Sequence, residues 1–311
     1  MHFSSMEYFV VLAEERSFTK AAKRLHMSQQ SLSSHIASME AELGCQLVVR
    51  HIPLELTYAG EVLLRYAQDF RRTQEDMHRE LSDIAKNQRG VLRIGAAATR
   101  GQILLPPVIA SFQKSYPNIR IDLTEAANDE LHQELQNGTL DLAIANFPKG
   151  LPGIATQDYY CEENVMLIAE ELFTSIFGED ITSQKHQLLS GDFTALKAFP
   201  LVLGSQEDID GRIAQELLHR FGIDRPNIVS RSHNVGTLLR LCVYQVGACF
   251  CPINIVHAML SKDQQKTLLL FPLGEKAQYP IRFGFRENAY QWNIIERFME
   301  CAKEYQRANA I

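Results

Sequence analysis

The sequence predicts a chain of two unlike parts. A small all-α head with a short strand pair runs into a long exit helix, and an α/β domain of two lobes follows. Three observations carry this expectation. The stretch Ser17–Gly44, SFTKAAKRLHMSQQSLSSHIASMEAELG, reads as two short helices about a tight turn. Leu63, Phe70, Met77 and Ile84 recur every seven positions within an unbroken helical pattern from Ala59 to Arg89. From Val91 onward, apolar strand-like runs alternate with helical ones, the pattern of a parallel sheet wrapped by helices.

The head begins with a helix, MEYFVVLAEE, whose Phe9 and Leu12 are candidate core residues. Ser17 or Thr19 can cap the next helix and Ser28 the one after, since their hydroxyls satisfy orphan N–H groups. The first helix of the pair offers Phe18, Ala21, Ala22 and Leu25 to a core. The second offers Leu32, Ile36, Met39 and Leu43, spaced four, three and four apart, and Gly44 suits its C-terminal cap. The outer face of the second helix carries Gln29, Gln30, Ser33, Ser34 and Ser38, with almost no charge before Glu40. Amides and hydroxyls at a helix N-terminus suit base edges and phosphates in a major groove; the same pattern also suits a plain helical hairpin with a polar face. CQLVVRHIPLELT, with Pro53 in its turn, reads as a hairpin.

Composition narrows the function. The 311 residues are 46% hydrophobic and 22% charged, with a formal net charge of −6, which argues against a wholesale polyanion binder. Cations are instead segregated within the head: Lys20, Lys23 and Arg24 on one helix, Arg50 and His51 at the wing. Such placement can supply phosphate contacts without global positive charge. The six cysteines form no disulfide scaffold and no zinc spacing. Cys249 and Cys251, expected on opposite faces of a strand, and Cys242 nearby read as small buried hydrophobes. YFVVLA is too short for a signal peptide and no run approaches a membrane span, so a cytoplasmic protein without a membrane partner is expected. No catalytic, phosphate-binding or dinucleotide motif is present, so no enzyme activity, cofactor or metal is expected.

Ala67 and Leu81 fall four residues after members of the heptad series and complete its seam. One apolar stripe on so long a helix calls for a second helix, which predicts a dimer seam of Leu63, Ala67, Phe70, Met77, Leu81 and Ile84. Packing on its own domain is the alternative. In the α/β part the expected strands are VLRIGAAA, IRIDLTE and DLAIANF, then, after a crossing strand NVMLIAE, FPLVLG, NIVSRSH, ACFCP, TLLLFPL and YPIRFGFRE. A helix is expected from about Gln102 to Tyr116 and another over ANDELHQELQNG. Leu172 to Asp192 is a long connection without assignment.

Ligands bind outside the carboxyl ends of strands in open α/β lobes. Those ends nominate Ala98, Thr99, Arg100, Asn128, Asn146, Ser205 and Asn234, with Phe147 and Phe250 as an apolar wall. Hydroxyls and amides about one cation, Arg100, suit a small polar anion.

Taken together, the run SFTKAAKRLHMSQQSLS, the closing EAELG and LTYAG at the start of the long helix resemble the N-terminal domain of LysR-type transcriptional regulators. RIG…LLP at 93–106, DLAI at 141–144 and TLLRLCVYQVGACFCP extend the resemblance into the second part. It implies a winged helix-turn-helix DNA-binding domain over 1–58, a linker and dimerisation helix over 59–89, and an effector-binding domain over 90–311. That domain has the two-lobed fold of periplasmic solute-binding proteins, with lobe I at about 90–162 and 270–311 and lobe II at about 163–269. Thr19, Lys20, Lys23, Ser28, Gln29, Gln30, Ser33, Ser34, Arg50 and His51 are then the candidate DNA contacts. The implied partners are double-stranded DNA bearing an interrupted inverted repeat, a small effector, further copies of the chain as a homodimer or homotetramer, and RNA polymerase. The rival is a solute-binding module without DNA function, which leaves residues 1–89 unexplained.

Overall fold

The computed structural model describes residues 3–308 apart from residues 52, 85–88, 207, 288, 289 and 291. The chain forms two compact units, Met1–Asn87 and Gln88–Ile311.

The first unit runs α1 (Phe3–Glu15), α2 (Phe18–Arg24), α3 (Gln29–Leu43), an antiparallel pair β1 (Val48–Val49) and β2 (Glu55–Leu56), and α4 (Tyr58–Ile84). Ser17, not Thr19, caps α2 by accepting from the Lys20 N–H, and Ser28 caps α3 by accepting from the Ser31 N–H. Gly44 closes α3 in the left-handed region at φ 67°. The turn between α2 and α3 has His26 at φ 53°, a conformation that non-glycine residues seldom adopt. Phe9, Leu12, Ala21, Ala22, Leu32, Ile36 and Met39 form one core with Val48 of β1 and with Leu47 and Leu54, which precede the two strands, while Phe18 and Leu25 are only partly buried against it. Leu43, expected inside, is 42% exposed at the helix end. The LTYAG run has a packing reason: Thr57 Oγ1 accepts from the Gly60 N–H and donates to the Gln46 carbonyl. A side chain at Gly60 would strike the Leu47 carbonyl.

The predicted seam divides. Leu63 joins the core of its own unit and Ala67 is buried, so these two positions are not free for a second helix. Phe70, Met77 and Leu81 are 44%, 48% and 55% exposed. The Ile84 side chain lies outside the described residues.

In the second unit, β3 (Gly90–Ala96), α5 (Ala98–Ile103), α6 (Leu105–Ser115), β4 (Ile119–Glu125), α7 (Asn128–Asn137) and β5 (Leu142–Ala145) come first. The long strand β6 (Ile154–Ala169) follows, then α8 (Glu170–Phe177), α9 (Ile181–Leu189), β7 (Pro200–Leu203), α10 (Ile209–Arg220), β8 (Asn227–Arg231), α11 (Val235–Val243), β9 (Ala248–Pro252), α12 (Ile253–Met259), α13 (Lys262–Lys266) and β10 (Leu268–Pro272). β11 (Gln278–Arg286) and α14 (Asn293–Ala308) end it. The helix expected from Gln102 is two helices, starting at Ala98 and breaking at Leu104 ahead of the two prolines. The unassigned 172–192 segment is helical as far as Leu189, and its apolar residues other than the exposed Leu189 pack on the core.

The two lobes share β6. Its first part, from Ile154 to Glu163, pairs with β11, which leads through β5 and β3 to β4. From Asn164 onward it pairs with β9 on one side and β10 on the other, and β9 leads through β7 to β8. Strands within each lobe are parallel and the crossing strands antiparallel. Cys249 and Cys251 share one face, as residues two apart on a strand must, and enter one core cluster with Cys242; Phe250 enters the cluster on the other face. The expectation of opposite faces was therefore wrong.

Candidate nucleic-acid interface and effector site

The N-terminal end of α3, the start of α2 and the wing border a single groove of about 450 Å³. Thr19, Gln29, Ser33, Arg50 and His51 line it together with Arg16, Ser17, Phe18, Pro53 and Leu54. Thr19 and Gln29, ten positions apart, meet at 3.4 Å, hydroxyl to amide oxygen. Lys20, Lys23, Ser28, Gln30 and Ser34 lie outside this lining, all exposed; Ser28 also serves as the cap. His51 is engaged within the wing, Nδ1 with the Pro53 carbonyl at 2.6 Å and Nε2 with Glu55 at 3.4 Å. Arg24 is tied to Glu14 and Glu15 at 2.9 and 3.0 Å. Arg16 is the groove residue that sequence reading missed; as the one cation in the break between α1 and α2 it carried a signal.

In the second unit the structure corrects the role expected of Arg100. Its side chain is 9% exposed and grips Glu162, itself fully buried, through Nε at 3.0 Å and Nη2 at 2.7 Å. Burial opposes the charge on each, but their mutual attraction prevails, holding Arg100 well above its usual range and Glu162 below its own. Arg100 is therefore a structural ion pair and not a cation offered to a ligand. Thr99 lies inside the first turn of α5 and is only 8% exposed. Ala98 is its half-buried neighbour. α5 packs against α12 of the other lobe, and Ile103 reaches that lobe's core.

The Arg100–Glu162 pair belongs to a polar cluster at the lobe junction. Tyr160 donates to Glu162 at 3.0 Å, and Asn164 and Tyr279 both donate to Asp210. Burial, and then the neighbouring Glu162 charge, push the Asp210 carboxyl up to about 7. Glu162 was invisible to sequence reading because the strand that carries it was read as starting only at Asn164; Asn164 and Asp210 meet from 46 positions apart, which no local pattern reveals.

The other nominated residues scatter. Phe250 and Phe147 are 2% exposed and belong to cores, so neither forms a ligand wall. Asn234 caps α11 by accepting from the Thr237 N–H at 3.0 Å. Asn146 donates to the Pro280 carbonyl at 2.8 Å. The buried amide oxygen of Asn128 has no hydrogen-bond partner among the described residues. Ser205 lines an open groove of about 620 Å³ with Gln206, Arg231, Ser232 and His233, at the carboxyl ends of β7 and β8. Burial, and for Cys249 first a hydrogen bond with the free thiol of Cys242, keeps the Cys249 and Cys251 thiols well above their ordinary range, which makes them weak nucleophiles. No helix among the described residues is long and apolar enough to cross a membrane.

A recognition helix framed by a wing, ahead of a two-lobed α/β domain, defines a one-chain transcription regulator with separate DNA and effector domains. Residues 3–61 match the bacterial regulatory helix-turn-helix protein family of lysR type, and residues 85–307 match the LysR substrate binding domain. The chain belongs to the LysR family of transcriptional regulators. It is 25% identical over 312 aligned positions to the uncharacterized HTH-type transcriptional regulator YcgK of Bacillus subtilis, covering 98% of this chain and 94% of that one. It is 33% identical to a probable RuBisCO transcriptional regulator of Cyanidium caldarium, over 78% of this chain and 75% of that protein. The structure of full-length CbnR complexed with its target DNA superposes with a TM-score of 0.62 at 25% identity, over 98% of this chain and 99% of that one.

Proposed function

We propose that the chain binds an interrupted inverted repeat as a homodimer or homotetramer, with one α3 in each half-site. The observation that carries this is the groove in which Gln29 and Ser33 of α3, Thr19 of α2 and Arg50 of the wing meet. In this reading Gln29 reads a base edge, since a glutamine amide matches adenine in two hydrogen bonds, and Arg50 meets phosphate. Solved CbnR is held on its target DNA, which supports the docking. The test is a titration of Gln29→Ala and Arg50→Ala on a duplex selected from a random library by the parent. Gln29→Ala relaxes base preference by about 1–3 kcal/mol. Arg50→Ala weakens all sequences and lowers the salt slope by about one unit. Equal weakening of all sequences by Gln29→Ala refutes base readout.

The effector is a small polar anion held between the lobes. Arg231, with the Ser205 and Ser232 hydroxyls, supplies the cationic wall at the strand ends of lobe II. Thr99 contributes a hydroxyl from lobe I. Binding favours one lobe arrangement and so shifts how paired chains sit on DNA, which requires different effector affinity in the two states. Calorimetry with a panel of small carboxylates tests it: Arg231→Gln and Thr99→Val should each weaken the best binder by about 1–3 kcal/mol, and a preference for apolar compounds refutes it.

A further inference from the structure

Glu40 occupies a place that disfavours an acid. It lies in the last turn of α3, at the negative end of the helix dipole, and no basic residue shares that turn. Its side chain is nevertheless only 14% exposed, and both carboxylate oxygens are engaged. Oε1 accepts from the backbone N–H groups of Leu47 at 2.8 Å and Val48 at 3.3 Å. Oε2 accepts from Arg50 Nη2 at 3.3 Å. The Arg50 guanidinium in turn lies 5.8 Å from the centre of the Phe18 ring, on the first residue of α2. One acid thus ties the end of the recognition helix to the wing strand and to the wing cation.

We propose that Glu40 is a positioning residue for DNA binding, which holds the Arg50 guanidinium at the mouth of the groove read by α3. The inference rests on the phosphate role proposed for Arg50. Arginine offers five N–H donors in a planar fork, so one directed at Glu40 leaves others to meet a phosphate. A long side chain at a wing tip loses rotamer freedom when DNA fixes it. Glu40 and Phe18 order it beforehand, which lessens that loss. The two jobs of the carboxylate are separable. Backbone donors need only an oxygen, whereas the guanidinium bond draws on the negative charge.

Glu40→Gln exploits that difference: it keeps an oxygen for Leu47 and Val48 and removes the charge facing Arg50. The full chain, with Glu40→Gln, Arg50→Ala and the double variant, is titrated with a duplex selected by the parent from a random library and with a scrambled duplex of equal length. Melting of each variant is followed alongside. Glu40→Gln is expected to melt with the parent and to bind the selected duplex about tenfold more weakly, with a salt slope falling toward that of Arg50→Ala. In the Arg50→Ala background it should add no further loss, the signature of action through Arg50. Parental or tighter binding by Glu40→Gln while Arg50→Ala is weak overturns the inference. So does a loss that persists undiminished without Arg50, which would make Glu40 a brace for the wing alone. Parental binding by Arg50→Ala is a separate failure: it removes the phosphate reading itself.

Discussion

The Tyr279 hydroxyl on β11 donates to the Asp210 carboxyl on α10 at 3.1 Å, a hydrogen bond from lobe I to lobe II inside a buried cluster. Two carboxyls, Asp210 and Glu162, share this cluster with a single guanidinium, that of Arg100, and the guanidinium sits on Glu162. Protonating Asp210 removes the surplus negative charge. Burial first, and then this surplus charge, raise its pKa to about 7.

This elevation has a sign. Asp210 binds its proton more tightly folded than unfolded, so its contribution to stability is complete below about pH 4 and is lost as pH rises through about 7. The upper bound is about 4 kcal/mol at roughly 1.4 kcal/mol per unit. Glu162, held low beside Arg100, acts oppositely at more acidic pH. Asp210→Asn keeps one oxygen, Oδ1, to accept from both Tyr279 and Asn164 but cannot ionise. Trp292, the single tryptophan and a core residue of lobe I, reports unfolding. Its denaturation midpoint should fall between pH 5 and pH 7.5 in the parent (a ~2.5-unit window spanning the transition) and stay nearly flat in Asp210→Asn. Parallel curves would place the titration elsewhere.

Gly60 is predicted to tolerate no side chain. An added Cβ would lie 2.1 Å from the Leu47 carbonyl oxygen, and that contact is backbone, which cannot rotate away. Gly60→Ala should lower the stability of the DNA-binding unit by about 1–3 kcal/mol or more through overpacking, seen as a lower melting midpoint and weaker DNA binding. A parental midpoint would show that the start of α4 shifts freely.

Much of this molecule was legible because helix and strand periods and caps are local. Ser17, Ser28 and Gly44 mark ends that a reader can find, and Leu32, Ile36 and Met39 mark the buried face between them. α8 carried the same signal in Leu172, Phe173, Ile176 and Phe177, and α9 in Ile181 and Leu188, seven positions apart. The first part of β6 was illegible for a different reason. Its QDYYCEEN run mixes charge with aromatics, because it pairs with β11 at the junction and holds Glu162 for Arg100. Arg100 was misread since its partner lies 62 positions away. A cation at a helix start looks like a ligand site until the acid that neutralises it is found.

The exposed stripe on α4 makes a prediction about assembly. Phe70, Met77 and Leu81 are large, apolar and about half exposed, at heptad spacing, whereas Leu63 serves its own core. Phe70→Asp with Met77→Asp should therefore leave the unit folded and yield a smaller species in sedimentation velocity, with loss of tight binding to paired half-sites. Leu63→Asp should instead unfold the unit. An unchanged sedimentation coefficient for the double variant would remove the seam.

The ion pair at the lobe junction gives the last prediction, and it separates a structural Arg100 from a ligand-binding one. Removing one partner of a buried pair leaves an uncompensated charge, which costs about 3–5 kcal/mol, whereas replacing both with neutral groups of similar size is far milder. Glu162 is fully buried and accepts from Tyr160 as well as Arg100, so stripping it of the guanidinium should be severe. Arg100→Met should lower the denaturation midpoint reported by Trp292 steeply, and the loss should shrink at low pH, where Glu162 can take up a proton. Arg100→Met combined with Glu162→Gln should recover much of the stability, because the amide keeps an acceptor for Tyr160 and carries no charge. A ligand-contacting Arg100 would behave otherwise: Arg100→Met would fold with the parental midpoint and lose only affinity for small carboxylates. Additive losses in the double variant would equally rule out the pair as the reason both residues are buried there.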